Sequence, residues 1–201
     1  MSAPILGPAL AMIAVGDVPS GLAALDALAK EAPVEVIAAG TIQSGEYLIA
    51  FAGEVEPVEM ALARAVAAAR EAVGDVVMLP YAEARIVPAF LEGVVRWPAP
   101  GDTLGVIQTS SPPTLLRAVD AALKGAEVDL VELRLGDGLA GKGLAMLWGG
   151  THDVEAALAL AEATFGRGRA EGATTRIIPN ADGAVGRALR AGTRFFKEWR
   201  G

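Results

Sequence analysis

A short apolar stretch, Ala-Leu-Ala-Met-Ile at residues 9–13, returns 94 residues later as Thr-Leu-Gly-Val-Ile at residues 103–107. A second stretch keeps this spacing, with Leu-Asp-Ala-Leu-Ala-Lys at 25–30 and Val-Asp-Ala-Ala-Leu-Lys at 119–124. Matching segments at a fixed offset indicate an internal duplication. The chain has 201 residues. The duplication therefore predicts two tandem domains of about 95 residues, each large enough for one modest hydrophobic core.

Both copies predict the same order of elements, because apolar runs indicate strands and apolar residues spaced by three and four indicate helices. In the first copy the predicted strands are residues 9–15, 34–41, 46–52 and 76–79. Three helices are predicted in this copy: one begins at Pro19, one spans 57–73 with Gly74 as the stop, and a short one ends near Leu91. In the second copy the predicted strands are 103–109, 127–135, 143–148 and 174–178, and the predicted helices are 112–124, 153–165 and 182–199.

This order, β-α-β-β-α-β followed by a short helix, is typical of a split βαβ unit. The predicted fold class is α+β, with two tandem ferredoxin-like (split-βαβ) domains, each an antiparallel sheet with helices on one face. The predicted boundaries are 1–95 for the first domain, 96–102 for a linker and 103–201 for the second domain. We expect so short a linker to keep the two domains side by side.

The composition excludes several classes of protein. The hydrophobic fraction of 53% is high, yet no apolar stretch reaches the roughly 18 residues of a membrane span, and the N-terminus lacks the basic flank of a signal peptide. The absence of cysteine excludes disulfides and thiolate-held metals. The net charge of −7 does not suit nucleic-acid binding. We expect a cytoplasmic protein with no membrane or nucleic-acid partner and with apolar surface for protein partners.

A glycine-rich segment, Gly-Asp-Gly-Leu-Ala-Gly at residues 136–141, fits the dinucleotide-binding fingerprint, and Lys142 nearly completes a phosphate-binding loop. Both motifs need a helix directly after the glycines, because the amides at a helix N-terminus hold the phosphate. Residues 143–148 instead indicate a strand, and Gly143 stands where a phosphate-binding loop has Ser or Thr. We therefore interpret the segment as a hairpin loop in which glycines supply positive φ angles.

The sequence contains no recognisable catalytic arrangement. His152 is the only histidine; it precedes Asp153 at a predicted helix start, and its counterpart in the first copy is Glu56. No nucleophile, metal-ligand cluster or carboxylate pair lies around it in the sequence. We therefore assign no catalytic residue, no metal site and no cofactor, and predict that the chain is not an enzyme.

Taken together, the repeated segments resemble a bacterial microcompartment shell protein of the tandem-domain, trimeric and pseudohexameric class, in its non-permuted form. The segments that carry the resemblance are 9–13, 26–35, 45–55 and 76–80 in the first copy and 104–107, 121–124 and 138–143 in the second. The resemblance covers almost the whole chain. It implies a structural shell subunit, located in a microcompartment shell in the cytoplasm. It also implies a homotrimeric tile that contacts hexameric and pentameric shell proteins and passes small polar metabolites through a central pore.

The resemblance also assigns roles to individual residues. The implied pore-lining residues are Gln43, Ser44, Gly45, Glu46, Leu139, Ala140, Gly141 and Lys142. Lys30 and Lys124 match the lysine at the edge between neighbouring tiles. Some relatives hold an iron–sulfur cluster through a cysteine of the first loop, but Gln43 stands there in this chain, so we expect no cluster. The arginine that often follows the fourth strand's proline is replaced by Tyr81 and Asn180.

Glu46 and Lys142 occupy equivalent positions at the ends of the two loops. In a trimer they would alternate around the axis, so we hypothesise a pore rim of mixed sign that selects by size and polarity rather than by net charge. Two other functions remain open from the sequence. One is an enzyme or ligand-binding protein on a duplicated ferredoxin-like scaffold, with a site between the copies. The other is a regulatory protein that binds an anion through residues 136–143.

Overall fold

A computed structural model describes residues 7–92, 102–167 and 172–192. The elements of the first domain are β1 (Ala9–Val15), α1 (Val18–Glu31), β2 (Glu35–Thr41), β3 (Tyr47–Gly53), α2 (Val55–Ala69), β4 (Val73–Leu79) and α3 (Ile86–Glu92). Those of the second domain are β5 (Thr103–Thr109), α4 (Pro112–Gly125), β6 (Asp129–Leu135), β7 (Gly143–Gly149), α5 (Thr151–Glu162), β8 (Thr174–Ile178) and α6 (Gly183–Arg190). None of the helices in these ranges has both the length and the hydropathy of a membrane span.

Each domain contains one four-stranded antiparallel sheet, and the two sheets have the same strand order. The orders are β2-β3-β1-β4 and β6-β7-β5-β8. The duplication extends to a local irregularity, because the edge strand shifts register between Val36 and Ala38 in one sheet and between Leu130 and Glu132 in the other. The predicted α+β class and the tandem repeat are confirmed.

The main departure from the sequence prediction concerns the end of the second helix. We predicted that it reaches residue 73 and stops at Gly74. The helix α2 ends at Ala69, Arg70 takes a φ of 53°, and one turn of 3₁₀ helix follows. Gly74 lies inside β4, where Val73 pairs with Val15. Pairing of β4 with β1 therefore overrides the helix propensity of the preceding alanine-rich segment.

Other predicted bounds fall partly outside the described residues. The proposed linker, 96–102, lies outside them except for its last residue, so the domain boundaries remain predictions. The terminal helix predicted at 182–199 is observed as α6, Gly183–Arg190, and residues beyond 192 lie outside the described part.

Different elements pack on the two faces of the first sheet. Side chains alternate between the faces of a strand, so Ala11 and Ile13 of β1 point to one face and Leu10 and Met12 to the other. The first pair packs with α1 and α2, which lie on one face, and alanines line these helices. The prediction of helices on one face holds for these two, whereas α3 packs on the opposite face. The second pair belongs to a larger cluster that includes residues of α3 and the core of the second domain. One hydrophobic cluster therefore spans both domains, and we call it the shared core.

The clearest sign of this shared core is the burial of α4. Ten of its 14 residues are buried, whereas the equivalent helix α1 buries only Gly21, Ala24 and Leu28 of its 14. The difference arises because β4 and α3 of the first domain contact α4. We call this contact, between β4 and residues 82–92 of the first domain and α4 of the second, the internal junction.

At the N-terminal end of α4, the internal junction contains a buried carboxylate. Asp75 of β4 is only 8% exposed. One of its oxygens accepts hydrogen bonds from the hydroxyl of the N-cap residue Ser111 and from both the amide (3.1 Å) and the hydroxyl (2.7 Å) of Thr114. Its other oxygen accepts the amide of Val76 at 2.8 Å. The first domain thus supplies an anion to the positive end of the α4 dipole.

At the C-terminal end of α4, the first domain supplies a cation. Arg85 donates to the carbonyl of Leu123, in the last turn of α4, at 3.1 Å and to the carbonyl of Val128 at 2.8 Å. The same guanidinium donates to Glu83 at 2.8 Å, which holds the pKa of the Glu83 carboxyl below its usual range. The amide of Glu83 in turn donates to Asp120 of α4 at 2.8 Å. Both ends of the helix dipole therefore face a complementary charge from the other domain.

We predict that Asp75→Ala lowers the free energy of unfolding by about 2–4 kcal/mol, because it leaves two hydroxyls and an amide without their buried charged acceptor. Urea unfolding followed by circular dichroism measures the change. Glu59→Ala, which removes an exposed carboxylate from α2, is the matched control and is expected to change the free energy by less than about 0.5 kcal/mol. Equal effects of the two variants would contradict the role assigned to Asp75.

Candidate functional site

The first hairpin loop, residues 42–46, joins β2 to β3 as a tight turn. The amide of Gly45 donates to the carbonyl of Ile42 at 2.9 Å, and the amide of Ile42 donates to the carbonyl of Glu46 at 3.0 Å. Gly45 has a φ of +86°, a conformation that costs glycine little. Ser44 donates its hydroxyl to the Glu46 carboxylate at 2.8 Å, so part of the polar tip is ordered by its own side chains.

The second hairpin loop, residues 136–142, joins β6 to β7 and is held by hydrogen bonds between its own backbone groups. The carbonyl of Gly136 accepts the amides of Leu139 and Gly141 at 3.3 and 3.2 Å. Four of its residues have positive φ angles: Gly136, Gly138, Ala140 and Gly141. Strand β7 begins directly at Gly143, so no helix N-terminus follows the glycines. This geometry confirms the hairpin interpretation and removes the structural basis for a nucleotide fingerprint.

The two loops lie against each other at one end of the internal junction. A Cβ atom on Gly141 would lie 2.5 Å from the Ser44 hydroxyl and 3.4 Å from the Glu46 carboxylate. A Cβ atom on Gly136 would lie 3.0 Å from Ile42. The structure therefore brings the two predicted sets of pore-lining residues together, and the fit depends on glycine in one loop.

Most of the loop residues predicted to line a pore are accessible in the single chain. Gln43, Ser44 and Gly45 are exposed in the first loop, and Ala140 and Lys142 are exposed in the second. Glu46 and Leu139 are half-buried, and Gly141 is buried beneath the first loop. Glu46 and Lys142 each immediately precede the returning strand, as their sequence equivalence predicts. Their placement around a pore stays a prediction.

The predicted tile-edge lysines share one local arrangement. Lys30 and Lys124 lie in the last turns of α1 and α4, and each forms an ion pair of 2.7 Å with the aspartate four residues earlier. The side chain of Lys30 is 74% exposed and that of Lys124 is 43% exposed. Asp120, the partner of Lys124, also accepts the amide of Glu83 from the first domain. In the second copy the Asp-x-x-x-Lys pair therefore takes part in the contact between the domains as well as in the helix end.

Sequence reasoning missed the residues that hold the two loops and domains together. Ile42 is 8% exposed and packs over Gly136, its positional counterpart in the other loop. The sequence held one signal of this contact: an isoleucine at an otherwise polar hairpin tip, where the second copy has glycine. Asp75 and Arg85 carried no pattern of their own, because charged residues near strand ends usually face solvent.

The structure offers no arrangement that points to catalysis or metal binding in the residues described. His152 is exposed in the first turn of α5. Within residues 7–92, 102–167 and 172–192, no group of three or more His, Asp or Glu side chains has the geometry to hold a metal ion. A crevice of about 390 Å³ lies beneath the loops between the domains. It is lined mainly by β2, by apolar side chains such as Met12, Leu48, Phe90 and Leu133, and by Arg134 and Asp137.

The BMC domain model matches this chain twice, at residues 9–80 and 103–181. The chain belongs to the BMC domain family. These are structural shell proteins of bacterial microcompartments, and the family membership confirms the predicted role of a tandem-domain shell subunit located in such a shell.

Individual relatives resemble the chain along most of its length. The bacterial microcompartment shell protein PduT of Citrobacter freundii is 28% identical over 163 residues, which covers 80% of this chain and 86% of the relative. The crystal structure of a microcompartment protein from Desulfitobacterium hafniense DCB matches with a TM-score of 0.75 at 27% identity, covering 89% of this BMC chain and 98% of the other.

A more distant match concerns a fused permuted hexameric shell protein, MSM0275 of the RMM microcompartment. Its TM-score is 0.61 at 22% identity, with 78% of this chain and 83% of the other covered. At this identity the match shows the BMC fold alone. The order of elements in each copy here, β-α-β-β-α-β and a short helix, is the order predicted for the non-permuted form.

We predict that Gly141→Ala destabilises the protein by about 1–2 kcal/mol more than Gly45→Ala. Both glycines have φ angles above 80°, so both substitutions carry the same backbone strain. A Cβ atom at position 45 meets no atom within 4 Å, whereas one at position 141 meets Ser44. Thermal unfolding of the two variants isolates the loop–loop contact, and indistinguishable midpoints would show that the loops do not touch.

Proposed function

We propose that this BMC chain forms a homotrimeric tile of a microcompartment shell, with the two hairpin loops of each chain edging a central opening. Three identical chains would place six domains around one axis. The observation that carries this proposal concerns the two surfaces that form the internal junction. Each of them has an equivalent in the other domain, and these two equivalent surfaces do not contact each other within the part of the chain that the structure describes.

The first half is the α1 face of the first domain. Its equivalent, α4, is covered by the other domain, and Leu116 of α4 is fully buried. The matching residue of α1, Leu22, is 51% exposed. Val36 of the adjacent strand β2 is also exposed, at 37%. An apolar face of this kind on a structural protein suits a close-packed subunit contact.

The second half is the β8–α6 face of the second domain, which corresponds to the β4–α3 face of the first. Within its described residues, α6 buries none of its side chains, whereas α3 buries Ile86 and Ala89 against the other domain. Apolar residues Val185 and Leu189 of α6 lie on the edge of the second domain's own core. In this proposal the β8–α6 face of one chain packs on the α1 face of the next, as β4 and α3 pack on α4 within the chain.

One polar contact of the internal junction, between Asp120 and the Glu83 amide, can also be repeated. Asp120 accepts an ion pair from Lys124 and an amide from Glu83. Asp26 forms the same ion pair with Lys30, and its neighbour in the proposed contact is Asp182, the counterpart of Glu83. Asp182 caps its own helix through its side chain, by accepting the amide of Ala184. In the proposed tile its amide would donate to Asp26 of a second chain, as the Glu83 amide donates to Asp120.

A head-to-tail contact of this kind gives a closed ring when its rotation closes. The two loops meet at one end of the internal junction. Each repeated junction would therefore add a loop to the same rim. Glu46 and Lys142 would alternate around that rim, which supports an opening of mixed sign for small polar metabolites. In this proposal the chain has a structural and permeability function and catalyses no reaction.

We predict that the protein sediments at three times the 20.5 kDa of one chain and that Leu22→Glu converts it to a monomer. The leucine lies at the centre of the proposed contact, where burial of its side chain is worth about 1.5–3 kcal/mol. Met60→Glu is the control, because Met60 is 47% exposed on α2, outside both faces. A wild-type monomer at high concentration, or a trimer that tolerates Leu22→Glu, would refute the proposed tile.

We also predict that trimers assemble into flat sheets, visible by negative-stain electron microscopy, and that Lys30→Asp combined with Lys124→Asp abolishes the sheets. The two lysines are exposed at equivalent helix ends, where the family resemblance places the contact between tiles. Lys142→Asp, in the loop, is the control and leaves the sheets intact. The trimer mass of the double variant must be unchanged, so that loss of sheets reports the edge and not the fold.

A further inference from the structure

The crevice beneath the two hairpin loops has a volume of about 390 Å³ and is formed by residues of one chain. This volume falls within the range of small-molecule sites, about 300–1,000 Å³. Its walls come from β1, β2, β3 and α3 of the first domain and from the end of β6 in the second. Leu22 and Val36, which carry the proposed contact between chains, are not among its lining residues. The crevice is therefore complete within a single chain.

The crevice is open because one face of the first sheet carries small residues. Ala50 pairs with Met12 on one side and with Ala38 on the other, so these side chains lie on the same face of the sheet, as does Gly40 two residues along β2. A Cβ atom on Gly40 would meet no atom within 4 Å. The second sheet has larger residues at the positions of Ala38, Gly40 and Ala50, namely Glu132, Arg134 and Met146.

The second domain shows what a filled version of this space contains. Met146, the counterpart of Ala50, is buried in a hydrophobic cluster of the second domain together with Leu144 and Trp148. Side-chain atoms of the second domain thus occupy the space that the first domain leaves open. The open space is a property of one copy and does not follow from the fold, which both copies share.

Strand β2 supplies hydrogen-bonding groups to the crevice. It is an edge strand that pairs with β3 on one side, and in the described ranges no strand pairs with its other side. Every second residue of an edge strand directs its amide and carbonyl away from the sheet. Residues 38–41 of β2 line the crevice. Backbone donors and acceptors therefore lie beside apolar walls, where a group with both a donor and an acceptor, such as an amide, can pair with them.

The charged residues of the lining favour an uncharged ligand. Arg134 and Asp137 carry opposite charges at the loop end of the crevice, and Arg134 donates to the backbone carbonyl of Asp137 at 2.7 Å. The other lining side chains are apolar, apart from Thr41. A charged ligand would lose hydration here without an excess of opposite charge to offset the loss. Phe90 of α3 adds an aromatic surface that suits a flat apolar group.

We propose that the crevice binds a small, uncharged molecule with a flat apolar body and an amide-like head group. The body would lie against Phe90 and Leu48, and the head group would pair with the free edge of β2. An extended peptide fits less well, because the first three residues of β2 do not line the crevice and only a short part of its edge is available. The lining includes Ile42 and Asp137, so the ligand would contact the bases of both loops.

The test uses benzamide, benzoate and benzylamine, which share a ring and differ in the charge of the head group. Each is titrated into protein labelled with ¹³C at the methionine methyl groups, and NMR spectra are recorded. Met12 lines the crevice, whereas Met60, Met78 and Met146 do not. We expect benzamide to shift the Met12 signal alone, with a dissociation constant of about 1–5 mM for a ligand of this size. We expect benzoate and benzylamine to bind about tenfold more weakly.

Two variants close the crevice. Gly40→Leu adds a side chain on the crevice face, at a position whose φ is not positive, and is expected to raise the dissociation constant of benzamide by about tenfold or more. Ala50→Met introduces the residue of the second copy and has the same expected effect. Ala63→Leu adds an apolar side chain to the exposed face of α2 and is expected to leave the constant within about twofold of wild type. Circular dichroism confirms that each variant is folded.

The outcomes separate this site from the proposed tile. A saturable Met12 shift that either crevice variant abolishes supports the site, whether the protein is a trimer or a monomer. An unchanged Met12 signal, or equal shifts of Met12 and Met60, would refute the site and leave the tile untouched. Benzoate or benzylamine binding as tightly as benzamide would refute the proposed class of ligand.

Discussion

The placement of a carboxylate from the first domain at the N-terminus of α4 is the constraint on which the arrangement of the two domains depends. Asp75 is buried, and a buried carboxylate is tolerated only when its oxygens accept enough hydrogen bonds to offset its lost hydration. Ser111 and Thr114 supply those bonds from the other domain. Because they cannot be made by either domain alone, the shared apolar cluster beside them is fixed in a single register, and with it the contact between the two loops.

Because the chain is duplicated, its two kinds of domain contact can differ in sequence, which is impossible for a chain with a single domain. In a ring of identical single domains every junction has the same residues, so a substitution in one junction changes all of them. In the proposed tile one junction lies within a chain and the other would form between chains, so the two could diverge in sequence while keeping the same shape. The replacement of Asp75 by Thr174 and of Ser111 by Asp17 between the two copies is divergence of this kind.

The sequence predicted the strands closely, because short apolar runs have few other interpretations in a chain that also repeats them. Strand β5 has the predicted bounds, and the hairpin loop at 136–142 was recognised from the strand that follows it. The end of α2 was misplaced because alanine favours helix without marking where it stops, and Gly74 looked like a stop signal. Asp75 and Arg85 could not be predicted, since their importance comes from a surface that exists only after the two copies pack.

The loops show how duplication shapes a possible opening. Ile42 packs against Gly136 and Ser44 packs against Gly141, so the first loop supplies side chains where the second has none. Identical loops could not pack in this way, because two isoleucines would collide and two glycines would leave a gap. The small residues of the second loop thus follow from packing against the first, and no phosphate is needed to explain them. The charged residues at the ends of the two loops, Glu46 and Lys142, differ for the same reason, because the two copies no longer have to be alike.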